Sequence, residues 1–232
     1  MKAILERPSP NHDARPASKA VDLMLLHYTG MRDCGAALQR LRDPAAKVSS
    51  HYLVDEDGTI YRLVDEARRA WHAGQSYWAG ERDINGISIG IELVNPGHEF
   101  GYRAFPRPQI SALIELARGI MARNPIPAPR VLGHSDVAPR RKMDPGELLD
   151  WRTLATAGVG FWPEPAEGPE DLASLQRALA RYGYEIAPTG KPDEQTTACL
   201  RAFQRHFRPA RIDGLADAQC CALIHGLEQG RS

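Results

Sequence analysis

The sequence is poor in cysteine, and the four that it has form no recognisable framework. Cys34, Cys199, Cys220 and Cys221 are the only cysteines among 232 residues. They lack the paired spacing of a cysteine zinc site, and adjacent Cys220 and Cys221 are poorly placed for a mutual disulfide. We therefore expect reduced thiols in the core or at the surface, which argues against a disulfide scaffold and a cysteine-held metal.

The chain also lacks an excess charge of either sign and a long apolar run near its start. Lys plus Arg and Asp plus Glu number 29 each, so the charge does not favour nucleic acid or an anionic membrane, and an uncharged carbohydrate-peptide ligand fits better. Residues 1–20 contain Pro8, Pro16 and several charges, which predicts neither a signal peptide nor a membrane anchor. We expect a cytoplasmic protein; the alternative is a periplasmic or wall-associated one, exported by a route that the amino terminus does not encode. The oligomeric state stays open.

What is present is an ordinary globular composition interrupted by one proline-rich segment. Hydrophobic residues make up 43% and charged residues 25% of the chain, which is enough apolar side chain for a real core. Prolines at 163, 165 and 169 favour an extended linker, because proline lacks a backbone donor and fixes φ. We predict a first domain over residues 1–160, a linker over 161–170 and a second domain over 171–232.

The first of these segments alternates strand and helix patterns. Residues 21–26 and 87–94 are apolar runs typical of buried strands, and residues 50–64 indicate a hairpin that turns at Asp57-Gly58. Apolar residues recur at helical spacing over 108–124. This alternation predicts an α/β fold.

The last segment is predicted to be a small three-helix domain. Helical spacing of apolar residues covers 171–183 and 193–207, and a third helix is expected over 216–227. Gly190, Asp193 and Gln195 recur in register as Gly214, Asp217 and Gln219, which suggests a duplicated loop-helix element.

Three ionisable side chains follow or interrupt apolar runs. They are His27 after residues 23–26, Glu92 within residues 89–93, and His134 after residues 131–133. A histidine at the end of a buried strand is usually a hydrogen-bonded core residue, but two histidines and a carboxylate together fit a zinc site with an open position for water. Spacing alone does not choose the carboxylate among Glu92, Asp136 and Asp144.

Four segments in order resemble the type 2 N-acetylmuramoyl-L-alanine amidases. The segment from Gly133 to Gly146, GHSDVAPRRKMDPG, resembles their second metal-binding segment, and His27-Tyr28-Thr29 resembles their first. Residues 88–92 are similar to the strand that carries their catalytic glutamate, and Trp71-His72-Ala73-Gly74 resembles a segment beside their substrate groove.

The resemblance implies a fold and a set of site residues. The fold is a mixed central sheet flanked by helices, with zinc in a groove above it. The implied ligands are His27, His134 and Asp144, with Glu92 as general base and Lys142 facing the reacting carbonyl. The residues that would line the groove or support the ligands are His51, Trp71, His72 and Asn85, although His51 and His72 could equally be structural. Ser50 stands where the phage members have a tyrosine, so the resemblance implies that Glu92 supplies the proton transfer, in agreement with the bacterial glutamate-bearing branch.

The second domain resembles the peptidoglycan-binding type 1 family. Leu175-Gln176, Gly183-Tyr184, Phe203-Gln204 and Asp213-Gly214 stand at matching places. Thr189-Gly190 replaces the first Asp-Gly pair of that family, so the resemblance does not imply full affinity for peptidoglycan. Apolar residues of these helices are expected to form a core, and any binding would fall to the loops.

The expected activity is zinc-dependent hydrolysis of the amide between the lactyl group of muramic acid and the first L-alanine of peptidoglycan or muropeptides, in wall turnover or recycling. Two other classes stay open. A non-catalytic recognition protein of the same fold would bind muropeptides without cutting them. A zinc peptidase would cut between stem residues, but no His-Glu-x-x-His sequence occurs.

Overall fold

The computed structural model describes residues 3–229, so the outermost residues of the predicted domains, 1–2 and 230–232, lie outside it. The strands are β1 Ile4–Glu6, β2 His12–Ala14, β3 Leu23–Tyr28, β4 Tyr52–Val54, β5 Ile60–Arg62, β6 Arg68–Ala70, β7 Ser88–Leu93 and β8 Val131–Gly133. The α-helices are α1 Cys34–Arg42, α2 Ile84–Ile87, α3 Gly97–Phe100, α4 Arg107–Arg123, α5 His134–Val137, α6 Trp151–Thr156, α7 Leu172–Tyr182, α8 Glu194–Phe207 and α9 Ala218–Gln229. Two 3-10 turns cover Pro44–Ala46 and Ala128–Arg130.

A six-stranded mixed sheet forms the centre of the molecule, in the order β1-β5-β4-β7-β3-β8. Its central neighbours β4, β7, β3 and β8 are parallel, while β4 and β5 form the antiparallel hairpin predicted over residues 50–64. The two buried strands predicted from apolar runs are confirmed as β3 and β7. The α/β class with a mixed sheet and flanking helices is therefore confirmed.

The two faces of the sheet have different partners. Alternation along β3 sends Met24 and Leu26 to one face, where they pack with residues of α4 and α6. Leu23 and Leu25 point to the opposite face, and His27 follows them in the same alternation. The ionisable side chains thus stand on the face that α4 and α6 leave uncovered.

The first residues of the chain contribute two strands that the sequence patterns did not predict. Strand β1 pairs in parallel with β5 at the sheet edge, and β2 pairs with β6 in a separate two-stranded ribbon. Each is only three residues long. Strands so short leave no alternation to detect.

The three predicted helices after residue 170 are present, and the repeat is visible in their hydrogen bonds. Gln176 Oε1 accepts from Gly190 N at 2.7 Å, and Gln204 Oε1 accepts from Gly214 N at the same distance. Both glycines adopt positive φ, of 69° and 77°, where other residues are strained. Gln176 Nε2 reaches Thr189 Oγ1 at 3.3 Å where Gln204 Nε2 reaches a carboxylate, so Thr189 takes the place of the missing aspartate.

The helices α7–α9 share a buried core with the sheet. Leu23, Leu25 and Trp78 belong to one apolar cluster with the buried residues of these helices, among them Leu179 and Phe203. Residues 161–170 have no regular structure and run beside α9, where Ala166 N donates to Ala222 O at 2.9 Å. The division of the chain at 161–170 stays a prediction.

Two further findings concern the chain as a whole. All four cysteines are free, as expected. In residues 3–229 no helix combines the length and the apolar character needed to cross a bilayer.

Candidate metal centre and catalytic groove

Three ligand atoms converge at the carboxyl ends of β3 and β8. Asp144 Oδ2 lies 3.0 Å from His27 Nδ1 and 3.0 Å from His134 Nδ1, and the two nitrogens are 3.0 Å apart. All three residues are at least 94% buried. Atoms at this mutual spacing can all bind one ion at about 2.0–2.2 Å. The resemblance-based choice of Asp144 over Asp136 agrees with this geometry.

A chain of hydrogen bonds sets the tautomer of His27. The hydroxyl of Ser88 donates to Ile84 O at 2.6 Å, which leaves its oxygen to accept from His72 Nε2 at 3.3 Å. His72 Nδ1 then accepts from His27 Nε2 at 3.1 Å. With its hydrogen on Nε2, His27 presents an unprotonated Nδ1 to the other two ligand atoms.

His72 can reach His27 because the neighbouring strand residue has no side chain. A Cβ placed on Gly90 would lie 2.6 Å from the His72 ring. Any larger residue at this position would therefore displace the histidine that orients His27.

The tautomer of His134 is set by a backbone carbonyl. His134 Nε2 donates to Ala73 O at 2.9 Å, so its Nδ1 is also unprotonated. Arg141 Nη2 donates to Ala73 O and Gln75 O at 2.7 Å each and holds this turn in place. Arg141 is therefore a supporting residue of this turn, for which the sequence analysis gave no signal.

The three facing lone pairs fit a bound cation. With both histidines in these tautomers, no hydrogen stands between His27, His134 and Asp144, so their mutual repulsion is relieved by a positive ion. Burial lowers the pKa of His27 to about 4, which keeps it neutral. Two imidazoles and a carboxylate are donors that zinc accepts.

Glu92 stands beside the ligands on the adjacent strand. It pairs in register with His27 across the parallel β3–β7 ladder. Its Oε2 is buried and has no hydrogen-bond partner among residues 3–229. Burial and the charge of Asp144 raise the pKa of Glu92 well above its usual value, although Lys142 opposes the shift. A buried carboxyl group with a raised pKa is suited to take up a proton and to return it.

The ligands and Glu92 open into one groove of about 370 Å³. Lys142 and Trp71 line it, as do His72 and Arg141. Trp71 is fixed by its Nε1, which donates to Asp13 Oδ2 at 2.7 Å. The structure thus brings Lys142, Trp71 and His72 together with the metal ligands.

Two of the predicted groove residues lie elsewhere. His51 is fully buried; Gly90 N donates to its Nδ1 at 2.9 Å, and its Nε2 contacts Arg68 O at 3.0 Å. Asn85 Oδ1 accepts from the backbone N of His72 and of Ala73. Neither lines the groove. His51 binds the backbone of β7 at Gly90, and Asn85 binds the backbone of the segment that carries His72.

Sequence reasoning missed the contacts that hold the segment between the two last ligands. Asp136 binds a local amide, since Gly133 N donates to its Oδ2 at 2.8 Å. In addition, Tyr184 Oη donates to Asp136 Oδ1 at 2.6 Å, and His206 Nδ1 donates to Oδ2 at 2.8 Å. Both donors come from residues 171–229, which contain α7–α9 and which we call the helical module. No local sequence pattern marked either residue as a partner of Asp136. We call these two contacts, with Asp136, the Asp136 clamp.

Two family profiles match the chain. The N-acetylmuramoyl-L-alanine amidase profile covers residues 17–147, and a peptidoglycan binding domain profile covers residues 168–224. The first spans more than half of the chain and includes every predicted ligand, Glu92 and Lys142.

Characterised relatives carry names of the same kind. The chain is 39% identical to N-acetylmuramoyl-L-alanine amidase AmiD of Escherichia coli (strain K12), over 97% of this chain and 90% of AmiD. It is 34% identical to 1,6-anhydro-N-acetylmuramyl-L-alanine amidase AmpD of Haemophilus influenzae, over 62% of this chain and 85% of AmpD. The match to AmiD therefore extends through the helical module.

Solved structures agree with the fold. AmiD of E. coli, in complex with the substrate anhydro-N-acetylmuramic acid-L-Ala-D-γ-Glu-L-Lys, superposes with a TM-score of 0.81 at 38% identity, covering 94% of this chain and 91% of that one. AmpDh3 of Pseudomonas aeruginosa, in complex with anhydromuramic pentapeptide, gives 0.83 at 34% identity, covering 100% and 99%.

Proposed function

Because the chain belongs to the N-acetylmuramoyl-L-alanine amidase family, we propose that it hydrolyses, with zinc, the amide between anhydro-N-acetylmuramic acid and L-alanine in muropeptides released during wall turnover. The bond cut joins the lactyl carbonyl carbon to the alanine nitrogen. The products are a lactyl carboxylate and an intact peptide that begins with L-alanine.

The observation that carries the proposal is the convergence of three groups in one groove. The ligand atoms of His27, His134 and Asp144 meet at 3.0 Å spacing, and an unpartnered carboxylate oxygen of Glu92 and the Lys142 side chain line the same space. An ion there would polarise the scissile carbonyl and lower the pKa of a bound water to about 7.

The protein's own groups move the protons and hold the charge. Glu92 takes one proton from the attacking water, whose oxygen bonds to the lactyl carbonyl carbon. The Lys142 ammonium faces the oxygen that becomes negative and stabilises it. Glu92 then gives its proton to the alanine nitrogen as the carbon–nitrogen bond breaks, which restores the carboxylate for another cycle.

The two rival functions differ in product. A recognition protein would bind the muropeptide and release nothing, while a peptidase would release a shorter fragment. Retention of all three ligand groups favours hydrolysis, since binding alone does not need a metal with a free position.

The test is mass spectrometry of anhydro-N-acetylmuramoyl-L-Ala-γ-D-Glu-L-Lys incubated with the protein as purified, after zinc removal, and after zinc is restored. We expect zinc-dependent release of the intact tripeptide. The Glu92→Gln variant should bind zinc and release none, while Glu167→Gln, an exposed glutamate of the linker, should behave as wild type. An intact muropeptide in the presence of bound zinc would overturn the proposal in favour of recognition.

A further inference from the structure

A second cavity lies between the metal-binding segment and helix α8. It measures about 490 Å³ and is lined on one side by residues 139–143 and on the other by residues 194–205 of α8. We call it the basic cavity, because its lining includes Arg140, Arg201 and Arg205 together with Arg141 and Lys142. Glu194 is the single acidic side chain among the described residues that line it.

Three of these cations are not held in an ion pair. Among residues 3–229, Arg140, Arg201 and Arg205 form no ion pair, whereas thirteen other arginine or lysine to carboxylate pairs occur. Asp193 lies close enough to Arg140, and Glu147 and Asp136 lie close enough to Arg205, to interact through their charges without forming an ion pair. The Glu147 carboxylate also contacts His98 Nε2 at 3.1 Å. Like charges grouped in a concave site attract an anion.

The Asp136 clamp fixes the two walls of the basic cavity relative to each other. His206 is the residue after Arg205 on α8, and it bonds to Asp136, in the segment that leads to Arg140. Both His206 and Asp136 are at least 98% buried. The cavity is therefore built before any ligand arrives, which lowers the entropy cost of binding.

The basic cavity adjoins the catalytic groove. Arg141, Lys142 and Met143 line both. A tripeptide spans about 10 Å when extended, so a peptide whose first amide lies at the metal centre can extend past the residues that surround that amide. A γ-linked glutamate keeps its α-carboxylate, and the last residue keeps its terminal carboxylate, so such a peptide carries at least two negative charges past the scissile bond.

We propose that the basic cavity binds the carboxylates of the stem peptide on the leaving side of the scissile amide. The helical module thereby supplies a wall of the substrate site through Arg201 and Arg205. This inference rests on the proposed function, since it takes the peptide to be the part of the substrate that leaves toward Lys142.

The test measures binding, so that it does not depend on hydrolysis. Dissociation constants are determined by calorimetry for L-Ala-γ-D-Glu-L-Lys and for the same peptide with both carboxylates amidated, using the zinc-loaded protein. Wild type should bind the free acid about tenfold or more tightly than the diamide, as expected for charge-assisted hydrogen bonds to arginine. The Arg140→Gln/Arg201→Gln double variant, which alters two exposed side chains, should lose most of that preference.

The control is Arg118→Gln, which removes one exposed charge from α4, away from both cavities. It should keep the preference for the free acid. Equal affinity of wild type for the two peptides, or an unchanged preference in the double variant, would overturn the inference. So would an equal loss in Arg118→Gln, which would mean that net charge alone is responsible. Absence of hydrolysis in the mass-spectrometric test, with the peptide preference intact, would instead count against the proposed reaction.

Discussion

Replacing Tyr184 with phenylalanine removes one hydroxyl from the Asp136 clamp and leaves the ring in place. That hydroxyl donates to Asp136 Oδ1 at 2.6 Å, and both side chains are at least 99% buried. The ring packs edge-on against Trp78 with centroids 5.0 Å apart, a contact that phenylalanine retains. The change therefore isolates a single hydrogen bond to a buried carboxylate.

The expected loss follows from the charge on the acceptor. A hydrogen bond to a charged group contributes about 1.5–3 kcal/mol, and water cannot replace it at a buried oxygen. For a chain of this size, each kcal/mol lost from the free energy of unfolding lowers the melting temperature by about 2–4 °C. The melting temperature should therefore fall by about 3–12 °C. Zinc should also bind about tenfold more weakly, because the clamp holds the segment between His134 and Asp144.

Calorimetry and competition with a chromophoric chelator measure the two effects. Tyr77→Phe is the matched control, since the Tyr77 hydroxyl makes no hydrogen bond within the described residues and the ring lies near Arg82. A loss below about 0.5 kcal/mol, equal to that of the control, would refute the view that the helical module holds the metal-binding segment. A loss of stability with unchanged zinc affinity would refute its link to the metal centre.

Three further predictions concern the metal centre and the histidines around it. Glu92→Ala should retain zinc and lose at least about 100-fold in turnover, whereas His134→Ala should lose both; equal zinc loss in the two, by metal analysis, would contradict these roles. His72→Phe removes the acceptor for His27 Nε2 and should weaken zinc binding about 10–100-fold, and an unchanged dissociation constant would exclude this orienting role. Burial lowers the pKa of His51 to about 3, so between pH 6.5 and pH 3 this residue takes up a proton only in the unfolded state. The free energy of unfolding of the metal-free protein should therefore decrease as the pH falls, and His51 should contribute up to about 1.4 kcal/mol per pH unit to that decrease. In urea titrations at pH 6.5 and 5, His51→Asn should show a shallower fall, and the same slope as wild type would rule out that source.

Much of the sheet and of the metal centre could be predicted from local patterns. The apolar runs gave β3 and β7, and because these strands are parallel and adjacent, the polar residues His27 and Glu92 had to meet at the same edge. Helical spacing gave α4 and the three helices of the last module within a few residues. The choice of Asp144 needed the family resemblance, since both aspartates follow His134 closely and only the fold decides which one turns inward.

The remaining features depend on contacts between residues far apart in the chain. Strands β1 and β2 are stabilised by pairing with β5 and β6, more than 50 residues away, so their own three residues carry no signal. Tyr184 and His206 lie 48 and 70 residues from Asp136. Each looks like an ordinary core aromatic of a helical module, and only the packing of that module against the sheet turns it into a partner of the metal-binding segment.

The core that α7–α9 share with Leu23, Leu25 and Trp78 limits how this protein can be rebuilt. A domain that is joined to its neighbour only by a flexible linker can be replaced by a different binding domain without disturbing the catalytic domain. Here such an exchange would expose the apolar face of β3 and leave the Asp136 carboxylate without two of its donors. A working chimera would have to keep Tyr184, His206 and the apolar surface of α7–α9 that covers β3. Exchange of this part of the chain alone is therefore expected to fail.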